Sequence, residues 1–256
     1  MLSLTAFRSY ARNRGINWSC AAYGARKTLY RFFVIEYGTR NSQASYNAQL
    51  DINGYHQGGL GAGVTNYNST NWYAWFDNVG YYPTIPCGYT DSLGNSTGYV
   101  TYTFPTDTGK TVPTSSTNVP RYRGVENPFG YIWEWTDGVL INVTSSKSEV
   151  YTCYDPTKYA STITEDYTYV GDEIRSDGYV KALIAGEIIP EAIGGASNTY
   201  FCDYHYQNAS SGSWVRGVLF GGASHHGSYA GFLYAYSHYA PSYTSTNIGS
   251  RLCFSA

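Results

Sequence analysis

Apolar residues recur at helical spacing near the start of the chain. Within residues 3–14 they return every three or four positions, the spacing of one face of an α-helix. Ser3 is placed to cap the start of this helix, and Gly15 lies just beyond its end. The pattern therefore predicts a first short helix that acts as a packing element.

A second helix is predicted over residues 21–37, with Gly38 ending it. Arg26, Lys27 and Arg31 are expected to face water. The predicted buried face consists of Tyr23, Leu29, Tyr30, Phe33, Val34 and Tyr37.

The middle of the chain loses this helical period. Residues 38–71 are rich in Asn, Gly, Ser and Gln and predict a long irregular loop. Short aromatic runs broken by Pro and Gly over residues 71–104 predict short strands and turns. The polar residues 105–120 predict another loop.

Later segments favour strands. Residues 131–135 are dense in aromatic and β-branched side chains, as strands are. Residues 144–180 predict further short strands and turns, and residues 199–208 alternate as a strand does. No internal repeat or linker is evident, so we predict one α+β domain over 1–256. Its helical start directly after Met1 also fits the C-terminal part of a longer chain.

Composition narrows the classes of protein. Only 13% of the 256 residues are charged, the net charge is −2 and no Lys/Arg block occurs, which argues against nucleic-acid binding. No apolar run approaches the roughly 20 residues that a membrane helix needs, and no signal-peptide hydrophobic region is visible. The five cysteines form no CxxC pair, so we expect buried thiols and no cysteine-based zinc site.

The segment Trp214–Phe254 has an unusual composition. After Trp214 it contains no Asp, Glu, Lys or Gln, and its only formal charges are Arg216 and Arg251. Tyr, His and Ser alternate through it, so burying the segment would enclose many polar groups that each need a partner. A displayed contact surface is favoured over a core, because Tyr gives a large, stiff and amphipathic contact area.

Two groups of side chains offer other chemistry. Glu126, Glu134 and Asp137 could act as acid/base groups or calcium ligands, but Glu126 and Glu134 are expected to hydrogen-bond the loop backbone because no calcium-loop pattern is visible. The histidines 225, 226 and 238 could bind a metal. Without a clear carboxylate or Cys partner, contact chemistry is favoured and no metal or cofactor is expected.

Two motifs carry a resemblance to a known family. Residues 121–137 (RYRGVENPFGYIWEWTD) and 221–252 (GGASHHGSYAGFLYAYSHYAPSYTSTNIGSRL) resemble the variable proteins of diversity-generating retroelements. GYIWEW is similar to the family's glycine-x-x-tryptophan-glutamate-tryptophan core, and IGSRL to its closing strand. FRSYARNRG and VIEYGTRNSQ match more weakly. The resemblance implies a C-type-lectin-like fold of the same broad class as the formylglycine-generating enzymes.

The family's mechanism accounts for the residue types. Its retroelement rewrites template adenines, which never yields Lys, Glu, Gln, Met or Trp, and all five are absent from residues 215–256. The implied variable, ligand-contacting positions are Ala223, His225, His226, Tyr229, Phe232, Tyr234, Tyr236, His238, Tyr239, Tyr243 and Ser245. The implied invariant scaffold comprises Trp133, Trp135, Gly222, Gly231, Asn247, Gly249 and Arg251.

The resemblance implies a non-enzymatic binder whose variable segment spans about 214–254. Its partner would be a protein or glycan receptor on a target cell surface, and its location a phage tail tip or the bacterial surface. Oligomers would form through the rest of a virion or surface assembly.

Two alternatives remain open. One is a formylglycine-type oxidase, although Cys202 and Cys253 are the only candidate thiols in the C-terminal part and are widely spaced. The other is a structural virion or surface subunit in which the aromatic segment is a subunit interface.

Overall fold

The computed structural model describes residues 1–67, 84–104, 116–207, 209 and 214–255. Two helices open the chain, α1 (Leu4–Arg12) and α2 (Tyr23–Tyr37). Ser3 Oγ accepts a hydrogen bond from the Ala6 amide at the start of α1, and Gly38 ends α2 in the left-handed conformation. Both predicted helices are confirmed, with ends shifted by a few residues.

Short strands make up most of the remaining regular structure. They are β1 (Trp18–Cys20), β2 (Tyr46–Leu50), β3 (His56–Gly58), β4 (Gly98–Thr103), β5 (Ser116–Tyr122), β6 (Val125–Glu126), β7 (Trp133–Val143), β8 (Ser148–Thr152), β9 (Thr168–Asp172), β10 (Gly178–Leu183), β11 (Pro190–Ile193), β12 (Tyr204–Tyr206), β13 (Trp214–Gly221), β14 (Gly231–Tyr236), β15 (Ile248–Gly249) and β16 (Leu252–Phe254). The predicted α+β class is confirmed.

One large mixed sheet organises the described residues. Its strand order is β11-β10-β12-β14-β13-β7-β8-β9, with β15 added beside β7. The Ile174 amide, just after β9, donates to the Pro190 carbonyl of β11 at 3.0 Å. This bond joins the two edges, so the sheet nearly closes on itself like a barrel. Smaller sheets pair β2 with β3, β5 with β4 and β6, and β1 with β16.

The large sheet has two different faces. Toward α2, Val139 and Ile141 of β7 and Phe220 of β13 meet Tyr23 and Phe33 of the helix in the main apolar core. On the opposite face, a second core forms around two tryptophans and the first helix. Its buried members are Leu4, Cys20, Trp133, Trp135, Leu219, Ala223, Tyr234 and Ile248. Side chains alternate between faces along a strand, so neighbouring residues of β7 and β13 serve different cores.

Arg26 does not face water, and that prediction is wrong. Its side chain is buried against the Phe220 ring, with the guanidinium carbon 4.9 Å from the ring centroid. It also donates to the Phe232 carbonyl at 3.2 Å. The helical period places Arg26 on the α2 face that packs on the sheet, because positions three or four apart share a face.

Two predicted loops contain more regular structure than expected. Residues 38–67 include the β2–β3 hairpin and a 3-10 helix at Gly63–Tyr67, so they are not irregular throughout. Residues 116–120 belong to β5, which pairs with β4 over six residues. Non-local strand pairing overrides the polar composition there. The predictions for residues 68–83 and 105–115 lie outside the described residues.

Among the described residues, no helix is long and apolar enough to cross a lipid bilayer.

Candidate binding surface

Two neighbouring parallel strands position the tyrosines of the C-terminal half. Strand β12 pairs with β14 so that Tyr206 lies beside Tyr236, and His205 beside Ala235. Successive side chains of a strand point to opposite faces. Tyr204, Tyr206 and Tyr236 are therefore half-buried on the outer face, whereas His205 is fully buried on the inner one.

These tyrosines form stacked pairs with neighbouring rings. The ring centroids of Tyr206 and Tyr236 are 4.8 Å apart with planes inclined by 14°. Tyr204 stacks on Tyr229 at 4.4 Å, and Tyr239 on Tyr243 at 3.6 Å. We call the resulting patch the aromatic surface: Tyr179, Tyr204, Tyr206, Tyr229, Tyr236, His238, Tyr239 and Tyr243.

The aromatic surface rests on a buried layer that joins its stacked pairs. The Trp133 ring lies 4.7 Å from Tyr234 and 5.0 Å from Tyr236, and Tyr234 reaches Tyr204 at 5.9 Å. Trp133 is 4% exposed and Tyr234 is 2% exposed. Packing from below restricts the ring positions above, which lowers the entropy that a bound partner would have to remove.

Glycines of the predicted scaffold permit this close packing. A Cβ on Gly231 would lie 2.1 Å from Asp203 Oδ1, an atom of the carboxyl that accepts the Leu233 amide. Gly222 adopts φ +78°, and a Cβ there would lie 2.9 Å from the Tyr234 ring. Any larger residue at either position has to displace the strand or its neighbour.

Burial disfavours the charged form of His238 in the surface, and of His225 and His226 in the turn that leads to Tyr229. Burial, with the neighbouring His225 in second place, lowers the pKa of His226 to about 3. His226 Nδ1 accepts the Ala223 amide at 3.0 Å, so this ring helps to shape its own loop. Burial also lowers the pKa of His225 and of His238. At neutral pH these rings offer contact area and hydrogen bonds without formal charge.

Charge is found at the margin of the surface. Arg216, whose guanidinium carbon lies 5.6 Å from the exposed Trp214 ring, lowers the pKa of His238 further after burial. Asp177 is exposed and accepts the Gln207 amide at 3.0 Å, and it acts on His238 in the opposite direction. The rings of the surface are thus uncharged, and Arg216 and Asp177 are close enough to His238 to shift its pKa in opposite directions.

Eight of the eleven predicted contact positions have exposed or half-buried side chains, and three are buried. Tyr229 is 41% and Tyr243 is 37% exposed. The other six are half-buried, namely His225, His226, Tyr236, His238, Tyr239 and Ser245.

The outward placement predicted for Ala223, Phe232 and Tyr234 is wrong. Phe232 lies in the main core, where its ring centroid is 5.4 Å from that of Phe33. Ala223 and Tyr234 belong to the core under the surface. A side chain that is 0–2% exposed cannot reach a ligand without local unfolding.

The two motifs that carry the family resemblance pair with each other. Ile248 lies beside Trp133 and Gly249 beside Glu134 in the β15–β7 pairing. The Asn247 carbonyl accepts the Trp133 amide at 2.9 Å, and a Cβ on Gly249 would meet Ile132 at 2.6 Å. These contacts give β15 a close fit against β7.

The acidic residues of the first motif bind other protein groups. Glu126 accepts the Gly88 and Thr90 amides at 3.1 and 2.7 Å, as the backbone interpretation predicted. Glu134 instead pairs with Arg26 and Arg251. These ion pairs replace the backbone hydrogen bonds expected for Glu134, because Arg26 is buried beside its carboxylate.

The third carboxylate of that motif is also paired. Asp137 receives two bonds from Arg8, at 2.7 and 2.8 Å. In the part of the chain that the structure describes, no group of three or more His, Cys, Asp or Glu side chains is placed to hold a metal ion.

All five cysteines have free thiols, and their burial differs. Cys20, Cys153 and Cys202 are buried, as predicted, whereas Cys87 is exposed and Cys253 is half-buried.

Sequence reasoning missed the part of the surface that lies outside Trp214–Phe254. Tyr179, Tyr204 and Tyr206 come from β10 and β12 and contribute three of its eight rings. The alternation of residues 199–208, which predicted a strand, gave the only signal. Which strand it would pair with is a non-local property that alternation does not encode.

No family model matches the chain, and no curated protein matches it either.

Proposed function

We propose that this chain is a hypervariable ligand-binding protein of the kind that diversity-generating retroelements rewrite. The aromatic surface is its contact site, and its scaffold belongs to the C-type-lectin-like class. The observation that carries the proposal is the set of stacked pairs Tyr206–Tyr236, Tyr204–Tyr229 and Tyr239–Tyr243, held at partial exposure on one face.

The chemistry of the surface suits recognition. Tyrosine rings supply much contact area for few rotatable bonds, and their hydroxyls supply hydrogen bonds at the edge. Buried aromatic anchors carry most of the binding energy in many interfaces. Stacking fixes these rings before a partner arrives, so less entropy is lost on binding.

Three of the eleven predicted contact positions are buried, so fewer positions remain that could vary without disturbing the core. His225, His226, Tyr229, Tyr236, His238, Tyr239, Tyr243 and Ser245 remain as the proposed variable set. Tyr179, Tyr204 and Tyr206 lie outside the rewritten segment and are proposed as a constant half of the same site. A constant half lets every variant keep an anchor while the variable half changes specificity.

The lectin-like assignment rests on the motifs and their placement. GYIWEW and IGSRL contribute the paired strands β7 and β15, and Arg251 pairs with Glu134 between them. Strand β1 pairs with β16, which brings the two ends of the chain together. A scaffold closed in this way holds loops rigidly, which suits a site built on changing side chains.

Sequencing the DNA beside the gene tests the diversification. We expect a reverse transcriptase gene and a near-copy of the 3′ end that differs only at adenines. The differing codons should include those of Tyr229, Tyr239 and Tyr243, but not that of Phe232. Neighbouring DNA without the template copy and the reverse transcriptase would contradict the proposal.

Binding is tested with the fluorescently labelled protein on a panel of bacterial strains and immobilised glycans. The variant with Tyr229, Tyr239 and Tyr243 changed to Ser should lose binding and keep its fold. Its matched control changes Tyr10, Tyr99 and Tyr169 to Ser, three tyrosines that are 60%, 41% and 47% exposed elsewhere. Equal loss in both variants would move the contact site away from the aromatic surface.

The same variants address the subunit-interface alternative. Analytical ultracentrifugation should give the same sedimentation coefficient for the wild type and for the surface variant. A shift from oligomer to monomer in the surface variant alone would instead identify the aromatic surface as a subunit interface.

A further inference from the structure

A cavity of about 250 Å³ lies between the first turn of α2 and the C-terminal strand β16, in a place that the aromatic surface does not use. Its walls are mostly apolar and include Ala22, Ala25, Leu29, Val125, Pro128 and Leu252. Three charged side chains also line it: Arg26, Arg251 and Glu134. Apolar walls with a few convergent polar groups are the usual composition of a small-molecule site.

The cavity is lined by two positive side chains and one negative side chain. Arg26 Nη1 lies 3.5 Å from Glu134 Oε1, and Arg251 pairs with the other oxygen of the same carboxylate. Two guanidinium groups therefore share one carboxylate. Asp203 also acts on Arg26 electrostatically, but burial raises the pKa of that carboxyl to about 7, so near neutral pH it compensates only in part.

Arg26 retains an unused donor. Its side chain is 6% exposed and donates through Nη2 to the Phe232 and Pro128 carbonyls. Its buried Nε has no hydrogen-bond partner among the described residues. The guanidinium is thus buried yet incompletely hydrogen-bonded, which adds to the positive potential that it places on the adjoining cavity.

The start of α2 adds to the positive potential. The residue before the helix is Ala22, which has no side chain to accept a bond from the first-turn amides. Ala21, Ala22, Ala25 and Arg26 all line the cavity, so the positive end of the helix borders it. Uncapped helix starts bind anions well when a second group supports them.

The pKa of Arg26 agrees with an incompletely compensated cation. It is lowered to about 10, chiefly by burial; Glu134 raises it, Arg251 lowers it and Asp203 raises it, in decreasing order of effect. A second anion beside Arg26 would offset the effect of burial.

We propose that this cavity binds a small monocarboxylate, whose apolar body packs on Ala25 and Leu29 and whose carboxylate meets Arg26, Arg251 and the start of α2. The volume fits one aromatic ring or a short alkyl chain, and is below the range typical of drug-sized ligands. The ligand is singly charged because Glu134 already neutralises one of the two cations. The site is independent of the aromatic surface and of the function proposed for it.

Thermal unfolding and calorimetry with benzoate, benzamide and benzylamine test this proposal. Benzoate should raise the Tm in proportion to the logarithm of its concentration, because it binds only the folded state. Benzamide and benzylamine should give no shift, since they have the ring without the negative charge. Equal binding of benzamide, or no binding of benzoate, hexanoate or phenylacetate at millimolar concentrations, would overturn the proposal.

Filling the cavity tests its location. Ala25 is exposed on α2, so Ala25→Phe should fold, and we expect it to weaken benzoate binding at least about tenfold. Ala48→Phe makes the same change at an exposed position of β2 outside the cavity and should bind as the wild type does.

A second measurement needs no variant. In the ¹⁵N-labelled wild type, benzoate should shift the amide resonances of Ala22 and Ala25 but not that of Tyr229. Unchanged binding by Ala25→Phe, or shifts confined to Tyr229 and its neighbours, would place the benzoate elsewhere and refute the assignment.

Discussion

The ring of Tyr206 lies flat against the ring of Tyr236, with centroids 4.8 Å apart and planes only 14° from parallel. The two residues are thirty positions apart in sequence and meet because β12 and β14 pair in parallel with these residues in register. One belongs to the tyrosine-rich C-terminal segment and the other precedes it. The proposed contact site therefore combines the segment that we propose to be variable with a strand outside it.

The C-terminal segment should divide sharply in its tolerance to substitution. Phe232→Ala removes a ring that is 1% exposed in the main core and should cost about 3–5 kcal/mol of unfolding free energy. Tyr229→Ala removes a ring that is 41% exposed and should cost about 1 kcal/mol or less. Urea denaturation of both variants measures the difference. Similar costs would mean that the segment is not split between core and surface.

Because Gly231 is closely packed, a larger residue there should lower the free energy of unfolding. A Cβ at Gly231 would lie 2.1 Å from the buried Asp203 carboxyl, so Gly231→Ala should cost about 2 kcal/mol or more through overpacking. Gly227→Ala is the control, because φ there is +52° and nothing lies within 4 Å of its Cβ. Backbone strain alone should cost this control roughly 1 kcal/mol. Chemical denaturation measures the loss of unfolding free energy in each variant. Equal losses would argue against the close contact between Gly231 and Asp203.

Stability should fall between pH 6.5 and pH 8 because of two buried acids. Burial raises the pKa of Glu173 to about 8 from an ordinary value of 4.5, and that of Asp203 to about 7 from 3.8. In this window the folded chain holds protons that the unfolded chain has released, so stability decreases as pH rises. Buried histidines act in the opposite sense, but only below their ordinary pKa of 6.5, since burial lowers the pKa of His205 to about 4.

Glu173→Gln isolates this effect. Glu173 is 3% exposed, and its two carboxyl oxygens lie 2.8 and 2.7 Å from Ser237 Oγ, so glutamine can keep a hydrogen bond there without titrating. The free energy of unfolding, measured at several pH values between 6.5 and 8, should fall less steeply in this variant than in the wild type. Glu191→Gln, at an exposed position, should leave the slope as it is. An unchanged slope in Glu173→Gln would refute the account.

Local patterns predicted the parts of the fold that depend on nearby residues. Ser3 and Gly38 marked helix ends correctly because caps act within one turn. The same reasoning placed Arg26 in water, since it weighed the charge of the side chain and not its position on the buried face of α2. The Phe220 ring and the Glu134 carboxylate that accommodate Arg26 come from positions about 100 or more residues away.

The sequence by itself determined the helices, the α+β class and the tyrosine-rich character of the C-terminal segment with its few charges, because composition and short-range period express these directly. Only the tertiary structure decided which rings face outward. Tyr234 and Tyr236 share a face of β14, yet Trp133 and its neighbours bury the first and leave the second half-exposed. Pairing with β12 also brought Tyr204 and Tyr206 into the surface. Burial depends on what packs from distant strands, and a one-dimensional pattern contains no record of those partners.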